Sequence, residues 1–290
     1  MNLSYSLYTN FQQCPFRVVL LQHQRQQPLF VGQYIGLYAH EYIERRLVGG
    51  SIDPDEIFDA IVNKDRYLPL PVETYHKAME RWVPYLEGWY EQVAKIIESD
   101  GAESVQVEQR LRASYGSFDV VGIVDILAKT SSGYNIYDLK RSGFRRHYDG
   151  KQLALYSYVV HHAKGIGKDA KLKLLFLDRD GVSEVGYPLD WDTAKGILEK
   201  LSVVAHALEE GAWELFKPNT QSKYCAPNRC SMWDFCPFGG LHNEDSERNV
   251  GQADLHSHEG RGDCRPQFEI VGLEECGASL VLCVEEEDDR

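Results

Sequence analysis

The chain has 290 residues, 43% of them hydrophobic, enough to bury one large core or two small ones and too much for disorder throughout. No run of about 18 apolar residues occurs, which excludes a transmembrane helix, and the opening Met1-Asn2-Leu3-Ser4-Tyr5-Ser6 lacks the basic and apolar regions of a secretory signal. The net charge of -13 is unevenly placed: residues 240–290 carry fourteen acids and four bases, leaving 30 acids and 27 bases in residues 1–239. The body is thus nearly neutral, and a local basic stripe decides whether it can meet a polyanion. One such stripe is Lys140-Arg141 followed by Arg145, Arg146, His147 and Lys151. Seven cysteines without an export signal point to a reducing cytoplasm and to metal ligation rather than disulfides.

In chain order, residues 3–47 read as helical segments, with Tyr34, Leu37, Tyr38 and Tyr42 at helical spacing. Asp53-Pro54 opens a helix to about Asn63, and a long helix is predicted from Val72 to Ser99; the helical block of about 50–100 covers one face of the strands that succeed it. Ser104–Ala113, Phe118–Lys129 and Gly133–Leu139 are rich in Val, Ile and Tyr and read as three strands. A helix over Asp149–His162, strands at Lys171–Leu177 and Val182–Pro188, and a helix over Trp191–Glu210 complete the series. That order predicts an α/β fold, a mixed central sheet with helices packed on it. Asn243–Gly262 reads as a polar linker, Phe268–Gly272 and Ala278–Val284 as short strands, and Glu285–Arg290 as a solvated acidic end.

Residues two apart on a strand share a face, so Asp138 and Lys140 point one way and Leu139 the other. Asp125 lies on the preceding strand, in a run without another polar side chain from Val120 to Leu127, and a carboxylate embedded there needs a partner. A hairpin could bring Asp125 beside Asp138, where a hard divalent cation, Mg²⁺ or Mn²⁺, would reconcile the two charges. A lone Asp-x-Lys is otherwise an ordinary surface pair. Two further pairs stand out: Gly36 and His40, the glycine permitting close packing one turn before the imidazole, and Gln152 and Tyr156 at i, i+4 on one helical face. Elsewhere Cys14 sits near the start, while Cys225, Cys230 and Cys236 cluster late, too close together and in too polar a setting for buried hydrophobes. Four thiolates suit an iron–sulfur cluster; zinc, bound by the three late cysteines with His242 or Cys14, is the rival. Cys264, Cys276 and Cys283 have no assigned role.

Taken in order, Gly-x-x-x-His, Asp, Asp-x-Lys and Gln-x-x-x-Tyr resemble the RecB-like branch of the PD-(D/E)XK nucleases over roughly residues 1–239, with 240–290 an acidic tail or appendage. The resemblance implies a restriction-endonuclease-like fold and a metal-dependent deoxyribonuclease, an exonuclease on single-stranded DNA or DNA ends. It implies metal ligation by His40, Asp125, Asp138 and the Leu139 carbonyl, Lys140 as the catalytic lysine, and Gln152 and Tyr156 as DNA-positioning residues. The opening through Cys14-Pro15-Phe16 and the late cysteines are similar to a subgroup carrying a 4Fe–4S cluster, which includes CRISPR-associated exonucleases and eukaryotic exonuclease V. By that likeness Cys14, Cys225, Cys230 and Cys236 clip both ends of the domain together, and protein partners or self-association are admitted. Two alternatives stay open: a non-catalytic DNA-binding scaffold subunit, and a zinc-binding nucleic-acid module.

Overall fold

The computed structural model describes residues 2–23, 27–62, 66–141, 149–226, 229–233 and 236–238. The predicted tail strands, the linker, His242, Cys264, Cys276 and Cys283 lie outside these, as do residues 142–148 of the basic stripe. Among the described residues no helix is long and apolar enough to cross a membrane.

The sheet is built around β5 (Phe118–Thr130), whose apolar content suits burial on both faces. β4 (Ser104–Tyr115) runs antiparallel along one edge of β5. The other edge is shared: β6 (Gly133–Arg141) pairs antiparallel with residues 126–130, and β1 (Asn2–Leu3) pairs parallel with Asp119 and Val120. β7 (Leu172–Asp178) lies parallel to β6 through a helical crossover, α7 (Lys151–Lys164), and β8 (Gly181–Tyr187) closes the edge antiparallel to β7. The sheet is mixed and flanked by helices on both faces, as the element order predicts, and agrees with the restriction-endonuclease-like fold that the resemblance implies.

One face packs on a helical block of α3 (Val31–Leu47), α4 (Pro54–Val62), α5 (Val72–Glu80) and α6 (Val83–Ser99). Tyr34, Ile43, Ile57, Tyr75 and Trp89 meet Ile126, Ala128, Tyr137 and Leu139 there. The other face is covered by α7 and α8 (Trp191–Glu210), through Leu155, Val159, Leu198 and Leu201. α1 (Tyr5–Gln13), capped by the Ser4 hydroxyl at 3.2 Å from the Leu7 amide, and α2 (Pro15–His23) pack beside α8.

Three details depart from the sequence reading. The helix expected over Val72–Ser99 is two helices, because Pro84 has no N–H to bond back to the Glu80 carbonyl and sits instead in the first turn of the second helix. Trp82 occupies the break. Where residues 3–47 read as helical, Leu3 belongs to the strand Asn2–Leu3, and β2 (Gln27–Pro28) is a strand that pairs parallel with β3 (Arg66–Tyr67) beyond that segment; such two-residue ladders are too short to carry a period.

Candidate metal centre and cysteine site

The sheet is irregular at one place, and Asp125 stands there. Val120 and Val124 pack toward α7 and α8, and a Cβ on Gly122 would lie 3.2 Å from the Tyr156 ring on α7. Ile126 and Ala128 nevertheless face the helical block. Even-numbered residues on both sides mean that the pleat slips by one residue at Asp125. Opposite, between the pairs Val107–Ile126 and Gln109–Val124, Glu108 has φ of +48°, a left-handed backbone that costs a non-glycine residue about 1 kcal/mol. The β5–β6 ladder ends at Ile126–Tyr137. Beyond it the Leu139 amide donates to Asp125 Oδ2 at 2.9 Å, so a carboxylate replaces a strand partner and the two strands open around it.

Into this opening α3 delivers His40, with Nδ1 3.6 Å from Asp125 Oδ2. One turn further along α3 is Glu44, only 3% exposed. His40, Glu44 and Asp125 each offer a ligand atom within 4.8 Å of the others. Asp138 is fully buried, its Oδ1 has no hydrogen-bond donor, and Oδ2 is ion-paired with Lys140 Nζ. Strand alternation therefore places Asp138 and Lys140 together as expected. The closest grouping of donors, however, joins Asp125 to His40 and Glu44.

Burial dominates the electrostatics. It pushes the Asp125 carboxyl up to about 6 against the pull of Lys140 and the Leu139 amide. Asp138 is likewise pushed up to about 6 by burial, Lys140 opposing and the Asp125 charge adding. Burial and Lys140 hold His40 down at about 4, so the imidazole is neutral near pH 7 and free to be a ligand, with the Asp138 charge and a hydrogen bond to the Leu139 backbone opposing. Two strained carboxylates, a neutral imidazole and a third acid form a mixed oxygen and nitrogen donor set for a divalent cation. On α7, Gln152 Nε2 donates to the Tyr156 hydroxyl at 2.8 Å. Burial, then the Asp138 and Asp125 charges, raise the Tyr156 phenol.

Two expectations change. Gly36 does not serve close packing, since a Cβ there would meet nothing within 4 Å; it leaves open space one turn before His40. Within the basic stripe, Arg141 donates to the Gly32 carbonyl at 3.1 Å and lies 4.8 Å from the Trp82 ring, and Lys151 pairs with Asp149. These cations are already engaged within the protein. Glu44 was not singled out from sequence. Its only signal is the i, i+4 spacing from His40, hidden among the charged neighbours Glu41, Arg45 and Arg46.

The four cysteines line the walls of one pocket. Cys14 ends α1 in extended backbone, and Asn219, just after the 3-10 turn Trp213–Leu215, donates its amide to Cys14 Sγ at 3.4 Å. Cys225, Cys230 and Cys236 sit on successive turns, and all four line one pocket with Phe16, Leu20, Trp233 and Phe238. None is in a disulfide. Burial pushes the Cys236 thiol up to about 11, and Cys225 also rises; in each case charge on the other cysteines adds to the effect. Burial thus favours the neutral thiols, and only ligation to a metal would hold them as thiolates.

Comparison with known proteins extends this picture. No curated protein sequence matches the chain significantly. Among solved structures, SSO0001 is 13% identical with a TM-score of 0.34, covering 70% of this chain and 76% of its own. An exonuclease candidate from Eubacterium rectale is 12% identical with a TM-score of 0.45, covering 88% of this chain and 91% of its own. VC1899 from Vibrio cholerae is 14% identical with a TM-score of 0.25, covering 76% and 59%. The family model of the PD-(D/E)XK nuclease superfamily matches residues 2–237, from the first strand past the last of the four clustered cysteines. The chain belongs to the PD-(D/E)XK nuclease superfamily.

Proposed function

We propose that the chain is a RecB-like, metal-dependent deoxyribonuclease that works as an exonuclease on single-stranded DNA or DNA ends, with a structural 4Fe–4S cluster. The observation that carries the nuclease reading is the opening of β5 from β6 at Asp125, where His40 and Glu44 converge beside the buried Asp138–Lys140 pair. In this reading residues 1–239 form the nuclease domain, 240–290 are an acidic appendage, and the protein acts in the cytoplasm.

The donor set fits Mg²⁺ or Mn²⁺: a fully buried Asp138 whose Oδ1 has no donor, and three further ligand atoms grouped within 4.8 Å. His40, Asp125, Asp138 and the Leu139 carbonyl would hold the ion, with Glu44 added from the structure. When bound, such a cation polarises a phosphate oxygen and lowers the pKa of bound water. The chain's own part is then positional. Asp138 fixes the Lys140 ammonium in the opening, where it meets charge developing on a phosphate. Tyr156, held by Gln152, lines the opening from α7 and orients the strand. The space in front of Gly36 admits the DNA backbone close to His40.

Four thiols drawn from both ends of the domain and lining one pocket with aromatic rings support the cluster reading, and a four-cysteine zinc site is the rival that metal analysis separates from it. Its role is to pin α1 and α2 to the segment after α8. Two measurements test the proposal. Incubation with Mn²⁺ should degrade end-bearing single-stranded DNA and spare a closed circular single strand; equal cutting of both would reject the exonuclease reading. Anaerobically purified protein should absorb broadly near ~400 nm, as thiolate-ligated iron does, with about four irons per chain; stoichiometric zinc would reject the cluster.

A further inference from the structure

Beside the four cysteines is a side chain that no role in nucleic-acid cleavage explains. Arg17, on the first turns of α2, is the only charged side chain lining the pocket among the described residues. Its guanidinium is held from both chain ends: Nη1 donates to Gln13 Oε1 at 3.0 Å, and Nη2 donates to Ser231 Oγ at 2.9 Å, Ser231 coming directly after Cys230. Nε is buried without a hydrogen-bond partner. Leaving a guanidinium donor unsatisfied in an apolar pocket is costly unless negative charge nearby compensates it. With the metal group of the iron–sulfur reading bound, four thiolates are that charge. They bring four negative charges into a pocket of aromatic and aliphatic side chains, more than a two-plus metal group neutralises.

We propose that Arg17 is the counter-charge of the four-cysteine site and sets how readily the group bound there accepts an electron. This rests on the iron–sulfur reading above. Reduction adds one electron, supplied in the test by dithionite, to a site already net negative, and net charge and burial are what tune such potentials. A fixed guanidinium stabilises the more negative state most, so the arginine makes reduction easier. If it were only a staple between α2 and the Ser231 turn, removing its charge would weaken the fold and leave the electron affinity alone.

The test uses the full chain, purified anaerobically, with iron content, visible spectrum and a mediated dithionite titration for each variant. Arg17→Gln should retain iron, and at the wild-type midpoint its reduced-to-oxidised ratio should fall about tenfold, equivalent to 59 mV for one electron. Arg17→Lys, which keeps the charge and loses the planar fork, should stay within about threefold of wild type. Gln13→Glu leaves the hydrogen bond to Nη1 in place and cancels the charge from outside, so it should shift the ratio in the same direction as Arg17→Gln. It also decides the matter if Arg17→Gln does not accumulate folded. Wild-type midpoints in iron-loaded Arg17→Gln and Gln13→Glu would overturn the role of Arg17. A wild-type protein carrying zinc, or no iron, would instead overturn the cluster reading, and no titration would be obtained.

Discussion

Asp138 should lower the stability of the metal-free fold, and replacing it should reveal by how much. Its carboxylate is fully buried, Oδ1 has no hydrogen-bond donor, and burial with the nearby Asp125 charge pushes its pKa up to about 6. Against an unfolded value of about 3.9, a rise of roughly two units means the folded state penalises the ionised form by about 3 kcal/mol. The sign comes from proton binding. Between about pH 4 and 6 the folded chain holds more protons at this position than the unfolded chain, so this contribution to stability falls as pH rises and is lowest above pH 6. Asp138→Asn does not titrate and keeps the shape and neutrality of the protonated wild-type side chain beside Lys140. In EDTA, Asp138→Asn should therefore be more stable than wild type by about 2–3 kcal/mol at pH 7.5, with the gap closing toward pH 4. Urea unfolding across pH 4–7.5 reads this directly. Excess Mn²⁺ should narrow or reverse the gap by stabilising wild type alone. A variant less stable than wild type at pH 7.5, or a difference that does not change with pH, would refute the argument that the centre is strained by buried charge.

Two other substitutions probe the same centre. Gly36→Ala meets no neighbour, so it should raise stability by about 1 kcal/mol through helix propensity while slowing DNA cleavage, because it occupies the space assigned to the DNA backbone; melting temperature and turnover together check it, and unchanged turnover would remove DNA from that space. Glu108→Gly relieves the left-handed backbone opposite Asp125 and should stabilise the fold by up to about 1 kcal/mol, read by chemical denaturation; a clear loss would mean that the Glu108 side chain carries the irregular pairing.

Much of this architecture is legible in the residues because the signals are long. Twelve- and thirteen-residue strands rich in Val and Ile, and a twenty-residue amphipathic α8, declare themselves by period and composition. Asp125 is visible as a lone acid in an apolar run, and the Asp138–Lys140 pair is expected from strand alternation. Other features escape for physical reasons. Two-residue ladders at β1, β2 and β3 have no period to detect. Glu44 looks like any other charge on the surface of α3, and only packing against the sheet reveals that it is buried. The pleat slip at Asp125 and the positive φ of Glu108 arise from the meeting of three strands, and no local rule marks Glu as a left-handed residue. Arg17 is equally silent: it becomes distinctive only when Ser231, more than two hundred residues later, closes on its guanidinium.

The most direct test of the central claim is cleavage of end-labelled single-stranded DNA in Mn²⁺ by wild type and by Lys140→Ala, with DNA affinity and iron content measured on the same preparations. Lys140 touches the buried Asp138 but not the cysteine pocket, so the account predicts that the variant loses cleavage by at least ~100-fold while binding DNA and retaining iron as wild type does. Cleavage persisting at the wild-type rate in Lys140→Ala would contradict the assignment of this opening in the sheet as the catalytic centre.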